Sequence, residues 1–171
     1  MRTTAEARKR ALIDELAQQR RALLAEIESL PDERLEEIFL GEWCLKDLLA
    51  HLVGWDYTNR EAIEQILSGQ TPAFFQYYDK DWRSYNARLV AQYRCEPFGA
   101  LLEAAQRSQQ ALIDLLESLA AEDVLSGKAA TPSGRTVRVS GLLRAEASDE
   151  GDHAAQIRAW KATWSARNPA N

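Results

Sequence analysis

The sequence predicts an all-α protein, a four-helix bundle with a short extended or hairpin link before the last helix. Apolar residues recur at helical spacing in four long segments of the 171-residue chain, and alternation of apolar and polar residues is confined to one short stretch. The length fits one domain over residues 1–171, with a tail from about residue 166. Long helices with one long connection are typical of a helical bundle.

The first half of the chain predicts two long helices. The first covers residues 4–29 and carries the apolar stripe Leu12, Leu16, Leu23, Ile27 and Leu30. Its basic groups, residues 8–10 and 20–21, alternate with acids, so we interpret them as a solvated helix face. Pro31 ends this helix and favours a short helical turn after it. The second long helix is predicted over about 45–68.

The second half predicts three further helices and one extended segment. Residues 81–94 and 97–120 are predicted helices, and the latter has the clearest apolar periodicity in the chain. Residues 126–138 combine turn residues with alternating positions, which favours a small hairpin or an extended crossover. The last helix is expected over about 140–165. Its apolar side carries Leu143, Ile157, Trp160 and Trp164.

Aromatic residues cluster after the second long helix. Five lie within nine residues: Phe74, Phe75, Tyr77, Tyr78 and Trp82. Such a cluster packs on a core, forms a contact between subunits or lines a substrate pocket. We favour packing or self-association, because aromatic side chains bury large areas in either case.

Composition excludes several classes of function. The net charge of −5 and the lack of a basic patch predict no nucleic-acid partner. No apolar run approaches the length of a membrane span, so we expect no membrane association and a cytoplasmic protein. The two cysteines, Cys44 and Cys95, are too few for a disulfide framework. Cys44 lies two helical turns before the nearest histidine, which disfavours a Cys–His nucleophile.

The candidate site comes from the two histidines, His51 and His153, which lie on different predicted helices. His153 belongs to the inward stripe of the last helix, with Asp149 four residues and Glu150 three residues before it. Glu146 lies a further turn back, near the same line. His51 borders the apolar face of the second helix, so the histidines can converge in an antiparallel bundle. Burial of carboxylates and an imidazole on an inward face costs free energy unless a partner compensates their charges.

A divalent transition metal is a natural partner for these residues. Two imidazoles and a carboxylate are a common ligand set for zinc, and for iron where coordination positions stay open. We therefore predict His51, Asp149 and His153 as metal ligands, with Glu150 or Glu146 as a general base or as a group that orients a ligand. The alternative is a histidine near the core, hydrogen-bonded to a neighbouring acid. A di-iron site is excluded, because it needs a second Glu-x-x-His pair.

Two segments resemble a known family. Residues 43–55, WCLKDLLAHLVGW, resemble the W-[ST]-x-K-[DE]-x-x-x-H-x-x-x-W signature of the DinB/YfiT-like superfamily. Residues 149–157, DEGDHAAQI, are similar to its last-helix segment H-x3-H-x2-Q-I. The resemblance covers most of the chain. Trp82 and residues 86–124 are also similar to the ClbS/DfsB-like branch of this superfamily.

The resemblance implies an up-down-down-up four-helix bundle that forms a homodimer. It also implies a divalent metal, such as zinc, nickel, iron or manganese, held by one histidine of the second helix and two of the last. His51 and His153 match this pattern, but Asp149 stands where the family has the middle histidine. Since a carboxylate can replace an imidazole as ligand, we expect a site of two histidines and one carboxylate, or one that has lost its metal.

Three functions follow as expectations. The resemblance includes thiol transferases that use bacillithiol or mycothiol, and it implies a metal-dependent hydrolase or thiol transferase that acts on a small electrophile. The second expectation is a non-catalytic bundle with a lapsed metal site that binds a small molecule or a partner through residues 74–82. The third is a metal-free hydrolase that uses polar groups of the same cavity, since the ClbS-like branch is associated with hydrolytic protection against a genotoxin.

Overall fold

The computed structural model describes residues 4–78 and 81–167, and these residues are mostly helical. The helices are α1 (Ala5–Glu28), α2 (Leu45–Leu67), α3 (Phe75–Tyr78), α4 (Trp82–Tyr93), α5 (Phe98–Ser118), α6 (Ala121–Ser126) and α7 (Val139–Arg167). A 3₁₀ turn covers Asp32–Arg34, and two short strands are β1 (Lys128–Ala130) and β2 (Thr136–Arg138). The predicted all-α fold is confirmed. No helix within the described ranges is long and apolar enough to cross a membrane.

Four long helices, α1, α2, α5 and α7, form the bundle. A buried apolar cluster at one end, the upper cluster, includes Leu23, Ile27, Leu48, Leu52, Leu101 and Ile157. A second one at the other end, the lower cluster, includes Leu12, Leu16, Ile63, Ile66, Leu116 and Leu143. Helices α1 and α7 run from the lower to the upper cluster, whereas α2 and α5 run from the upper to the lower. This order confirms the up-down-down-up bundle.

The link before the last helix is a hairpin. Strands β1 and β2 pair antiparallel, with Ala129 opposite Val137. Gly127, just before β1, donates its N–H to the Asp123 carbonyl and accepts from the Val139 N–H, which joins α6 to the start of α7. The short helix α6 was not expected from the sequence. Helix α7 continues to Arg167, and residues 168–171 lie outside the described part of the chain.

The solvated helix face predicted for residues 8–10 and 20–21 is wrong at two positions. Lys9 and Arg20 are only 8% and 1% exposed, whereas the other three basic residues are exposed. Lys9 Nζ donates to the carbonyl groups of Glu117 and Leu119, which satisfies acceptors at the end of α5. Arg20 lies within the apolar stripe of α1 and pairs with buried carboxylates.

The aromatic stretch divides between packing and exposure. Phe74 and Phe75 are buried beside Ala62 of α2, so packing accounts for these two rings. Tyr77 and Trp82 are about half exposed. The side chain of Tyr78 lies outside the described set, and self-association of this stretch stays a prediction.

Two glycines allow a matched test of the contact between α2 and α4. A Cβ added at Gly54 lies 2.7 Å from Leu89 Cβ, so Gly54→Ala forces these helices apart and lowers the free energy of unfolding by about 1–3 kcal/mol. Gly99 of α5 is the control, because a Cβ there meets no described side chain or neighbouring element within 4 Å. Gly99→Ala is expected to stabilise the protein by up to about 1 kcal/mol through helix propensity. Denaturant unfolding measures both, and equal effects would contradict the close approach at Gly54.

Candidate metal centre

The structure brings His51 of α2 together with Asp149 and His153 of α7. Asp149 Oδ2 lies 3.1 Å from His51 Nε2 and 3.4 Å from His153 Nε2. One ligand atom from each residue lies within 4.8 Å of the others. The imidazole rings meet edge to face, with centroids 5.3 Å apart. Both histidines are buried, whereas the Asp149 side chain is 53% exposed, so the group is reached from the aspartate side.

A tight turn covers the two histidines with Trp43. The chain reverses between residues 40 and 43, where Gly41 has φ of +57° and the Trp43 N–H donates to the Leu40 carbonyl over 2.8 Å. The Trp43 ring centroid consequently lies 4.9 Å from that of His51 and 6.2 Å from that of His153. This indole supplies an apolar cover for the imidazoles.

Gln156 orients His153 from the opposite side of the ring. The side-chain oxygen of Gln156 lies 2.8 Å from His153 Nδ1 and can only accept a hydrogen bond. His153 Nδ1 therefore donates, so the neutral ring has no proton on Nε2. His153 Nε2 lies 3.4 Å from Asp149 Oδ2. Because both atoms are then acceptors and repel each other, this contact needs a cation or a proton between them. A hydrogen bond on the far ring nitrogen is also what orients histidines at metal sites. The donor set therefore fits a divalent metal.

Burial and Asp149 set the protonation of the two histidines. Burial lowers the pKa of His51 despite the hydrogen bond to Asp149, so this ring is neutral at pH 7. Burial also acts to lower the pKa of His153, but its hydrogen bond to Asp149 and the charge of that residue prevail and raise it. Burial acts to raise the pKa of Asp149, yet its hydrogen bonds with His153 and His51 hold it below its usual range. Asp149 is therefore ionised, as a metal ligand must be.

A second buried polar group lies between the upper and lower clusters. We call it the arginine layer, and it comprises Arg20, Asp56, Asn59, Glu146 and Glu150. The two Arg20 Nη atoms donate to the two Asp56 oxygens over 3.1 and 3.0 Å, and Nη2 also donates to Glu150 Oε1 over 2.7 Å. Asn59 Nδ2 donates to Glu146 Oε2 over 2.7 Å. The layer therefore ties α1, α2 and α7 together.

One guanidinium faces three carboxyl groups in this layer, so full ionisation would leave an excess of negative charge. Burial, and then the charge of Asp56, raises the pKa of Glu146 well above its usual range. Burial also raises the pKa of Glu150, to about 7, against the opposing effect of Arg20. Near neutral pH the layer therefore retains a proton on Glu146.

A cavity of about 390 Å³ adjoins both polar groups. Its polar lining includes His51, Asp149, Glu146, Glu150, Arg20 and Asn59. Its aromatic lining is Trp55, Phe74 and Trp82. Trp55 Nε1 donates to Asn86 Oδ1 over 3.0 Å, and the Trp55 ring lies 5.4 Å from Trp82 and 5.8 Å from Phe74 by centroids. The volume lies in the range of small-molecule sites, and part of the aromatic stretch forms its wall.

The structure gives the two predicted glutamates different partners from the metal ligands. Glu150 contacts Arg20 and Glu146 contacts Asn59, and both line the cavity beside Asp149. Their role as general base or orienting group stays a prediction. Sequence reasoning missed the other members of the arginine layer. The available signal was a polar residue inside an apolar stripe: Arg20 between Leu16 and Leu23, and Asp56 and Asn59 between Leu52 and Ile63.

The raised pKa of Glu146 predicts how stability changes with pH. Above its usual pKa the unfolded chain releases this proton while the folded protein keeps it, so rising pH favours unfolding up to the pKa in the folded state. Glu146→Gln cannot ionise and keeps an acceptor for Asn59. At pH 5 we expect the free energy of unfolding of this variant to lie within about 1 kcal/mol of that of wild type. From pH 5 to 8 the variant should become more stable relative to wild type.

Denaturant titrations in a chelator measure this difference without interference from bound metal. Glu103→Gln is the control, because Glu103 is exposed and pairs only with Arg107 of its own helix among the residues described. Its difference from wild type should not change with pH. A constant difference for Glu146→Gln would contradict a neutral Glu146.

Comparison with known proteins identifies the family. The family model described as "DinB superfamily" matches residues 15–157. YfiT from Bacillus subtilis, described as a probable metal-dependent hydrolase with an unusual four-helix bundle topology, is 17% identical with a TM-score of 0.71, covering 100% of this chain and 93% of that chain. A mycothiol-dependent maleylpyruvate isomerase is 17% identical with a TM-score of 0.69, covering 91% and 63%. A search of curated proteins finds no match.

The colibactin self-resistance protein ClbS, solved in complex with a dsDNA, is 19% identical with a TM-score of 0.68, covering 90% of this chain and 94% of that chain. At these identities the likenesses show the fold alone, so the absence of a nucleic-acid partner stays a prediction. The family match spans most of the chain and includes all three predicted metal ligands. The chain belongs to the DinB superfamily.

Proposed function

We propose that this protein is a metal-dependent enzyme that activates water or a thiol for attack on a small electrophile. The observation that carries this proposal is the convergence of His51, Asp149 and His153 beside a cavity of small-molecule size. The orientation of His153 by Gln156 supports the proposal, because this contact leaves Nε2 without a proton and able to bind a metal ion. A metal-dependent hydrolase and a metal-dependent thiol transferase can both use this arrangement.

A divalent transition metal would be held by His51 Nε2, an Asp149 oxygen and His153 Nε2. When bound, such a metal lowers the pKa of a water or thiol and polarises an electrophile. Three protein ligands leave a coordination position for a substrate. The carboxylate in place of a third imidazole supplies one negative charge to balance the cation.

Glu150 is the proposed general base. Its pKa of about 7 is matched to proton transfer near neutral pH, and its Oε2 makes no hydrogen bond within the described structure. Arg20 holds the other oxygen and fixes the carboxyl group beside the cavity. Glu146, held by Asn59, is proposed to orient the substrate or Glu150. The same space has an apolar side, the aromatic wall, formed by Trp55, Phe74 and Trp82.

A metal-free enzyme is the second candidate. Asp149 contacts both histidines directly, so an imidazole paired with a carboxylate is available as a base. A non-catalytic protein that binds a small molecule in the same cavity is the remaining alternative. The thiol cosubstrate, the homodimer and the cytoplasmic location expected from the sequence stay predictions.

Metal analysis of protein purified without a histidine tag tests the proposed ligands. We expect about one equivalent of divalent metal after reconstitution of wild type with zinc, nickel, iron or manganese in turn, and its loss in His51→Ala, Asp149→Ala and His153→Ala. Asp152→Ala is the control, because Asp152 is exposed on the same helix and outside the group. Asp149→His introduces the histidine of the family pattern and should retain metal. Less than about a tenth of an equivalent in wild type would contradict the metal centre.

Chelation separates the two enzyme candidates. The probes are activated nitrophenyl esters, for transfer to water, and 1-chloro-2,4-dinitrobenzene with cysteine, for transfer to a thiol. We expect turnover of one of these reactions to fall at least tenfold in a chelator and to return with metal. Glu150→Gln should lower kcat by about 10²-fold or more and remove the ionisation near pH 7 from its pH profile. Turnover that survives chelation would favour the metal-free enzyme.

A further inference from the structure

Helix α4 lies outside the four-helix bundle and contributes Trp82 and Asn86 to the cavity beside the candidate metal ligands. These two residues are four apart in the chain and therefore lie on the same face of the helix. Helix α4 packs directly against the backbone of α2, since a Cβ added at Gly54 would lie 2.7 Å from Leu89 Cβ. This close contact fixes the position of both cavity residues. Asn86 has no role in the proposed function.

The Asn86 amide is oriented by Trp55 of α2. Trp55 Nε1 lies 3.0 Å from Asn86 Oδ1. An indole nitrogen can only donate a hydrogen bond, so the amide atom that faces it is the oxygen, and Nδ2 points away from the indole. Nδ2 makes no hydrogen bond to any residue that the structure describes. Because Asn86 lines the cavity, this nitrogen is a fixed donor for a ligand there.

The fixed positive charge of the cavity lining is already balanced. Arg20 is the one arginine or lysine among the described lining residues, and its guanidinium is bonded to Asp56 and to Glu150. The donor from α4 is a neutral amide, so the two groups together favour a neutral ligand over an anion. Arg20 Nε is buried without a hydrogen-bond partner in the described part of the chain, so an anion is one arm of the test. The carboxyl groups of the lining make a cation the other arm.

The aromatic wall beside Asn86 provides a surface for a flat apolar body. The Trp55 ring lies 5.4 Å from that of Trp82 and 5.8 Å from that of Phe74 by centroids. Trp82 is 51% exposed, so a ligand can cover part of its ring. Aromatic rings pack favourably on one another in offset-stacked or edge-to-face arrangements. Trp55 also lies 6.4 Å from His51 by centroids, so a ligand along this indole reaches from Asn86 toward the candidate metal ligands.

We propose that the substrate of this site is a neutral aromatic carbonyl compound. Its carbonyl oxygen accepts a hydrogen bond from Asn86 Nδ2, and its ring packs against Trp55 and Trp82. A carbonyl oxygen accepts and cannot donate, which matches an amide whose own acceptor is already used by Trp55. Asn86 is on this proposal a specificity-determining residue. The proposal rests on the proposed function in one respect: the electrophilic group of the same substrate lies toward the candidate metal ligands.

NMR titration of metal-free protein tests the preference for a neutral acceptor. The probes are acetophenone, 1-phenylethylamine and benzoate, which present a neutral acceptor, a cation and an anion on the same phenyl ring. We expect acetophenone to bind about fivefold more tightly than the other two, the order of effect that one neutral hydrogen bond supplies. Equal affinities, tighter binding of the cation or the anion, or no binding of acetophenone at millimolar concentration would overturn the proposal. Because no metal is present, failure of the metal centre leaves this result unchanged.

Asn86→Asp locates the bound carbonyl group. Aspartate has nearly the same shape and keeps an oxygen for Trp55 Nε1, but it replaces the donor Nδ2 with an acceptor. We expect acetophenone binding to weaken about fivefold and 1-phenylethylamine binding to strengthen. Gln92→Glu is the matched control, because it changes an amide to a carboxylate at an exposed position of α4 outside this cavity. It should bind all three probes as wild type does.

Unchanged acetophenone affinity in Asn86→Asp would overturn the assignment of Asn86. If this variant does not fold, Asn86→Ala takes its place, because it removes the donor without adding a charge. Acetophenone binding should again weaken about fivefold, and an unchanged affinity would count equally against the proposal.

Discussion

The buried ion pairs of Arg20 are the interaction on which the rest of the structure depends. Arg20 of α1 bonds to Asp56 of α2, to Glu150 of α7 and to the Ala105 carbonyl of α5, so one side chain reaches every long helix of the bundle. Burial acts to lower the pKa of Arg20, but Asp56 and Glu150 raise it, and the guanidinium stays charged. Removal of one partner from such a pair costs about 3–5 kcal/mol, because a buried charge is left without compensation.

This layer also determines where the candidate metal ligands lie. The apolar side chains above and below the arginine layer tolerate small sliding movements of one helix along another. Hydrogen bonds between fixed polar groups do not tolerate such movements, because their geometry is specific. The bond from Arg20 to Glu150 sets the height of α7 in the bundle. Asp149 immediately precedes Glu150, and His153 follows one turn later, so the same bond brings both residues level with His51. The arginine layer is therefore a support for the site as well as part of its cavity.

The sequence predicts the bundle, the convergence of His51, Asp149 and His153, and the two glutamates beside them, but not the other members of the arginine layer. Long apolar stripes indicate helices because their period is regular, and two histidines are few enough to be weighed one by one. Arg20 is predicted on a solvated face because the basic residues of α1 alternate with acids, whereas the partners that allow its burial lie on other helices. The aromatic wall depends on the path of the chain from α2 to α4 and on the close approach at Gly54, and neither can be derived from periodicity.

Asp149 gives the site a different charge balance from a centre with three histidines. Its carboxylate lies beside Glu150 and raises the pKa of His153, so a proton can take the position between Asp149 and His153 that a metal ion would occupy. Proton and metal therefore compete for the same two donor atoms. One proton balances the single negative charge of Asp149, whereas a divalent cation balances it and retains one positive charge, and the exposed side of the aspartate gives the cation access. The aspartate is for this reason compatible with a working metal centre.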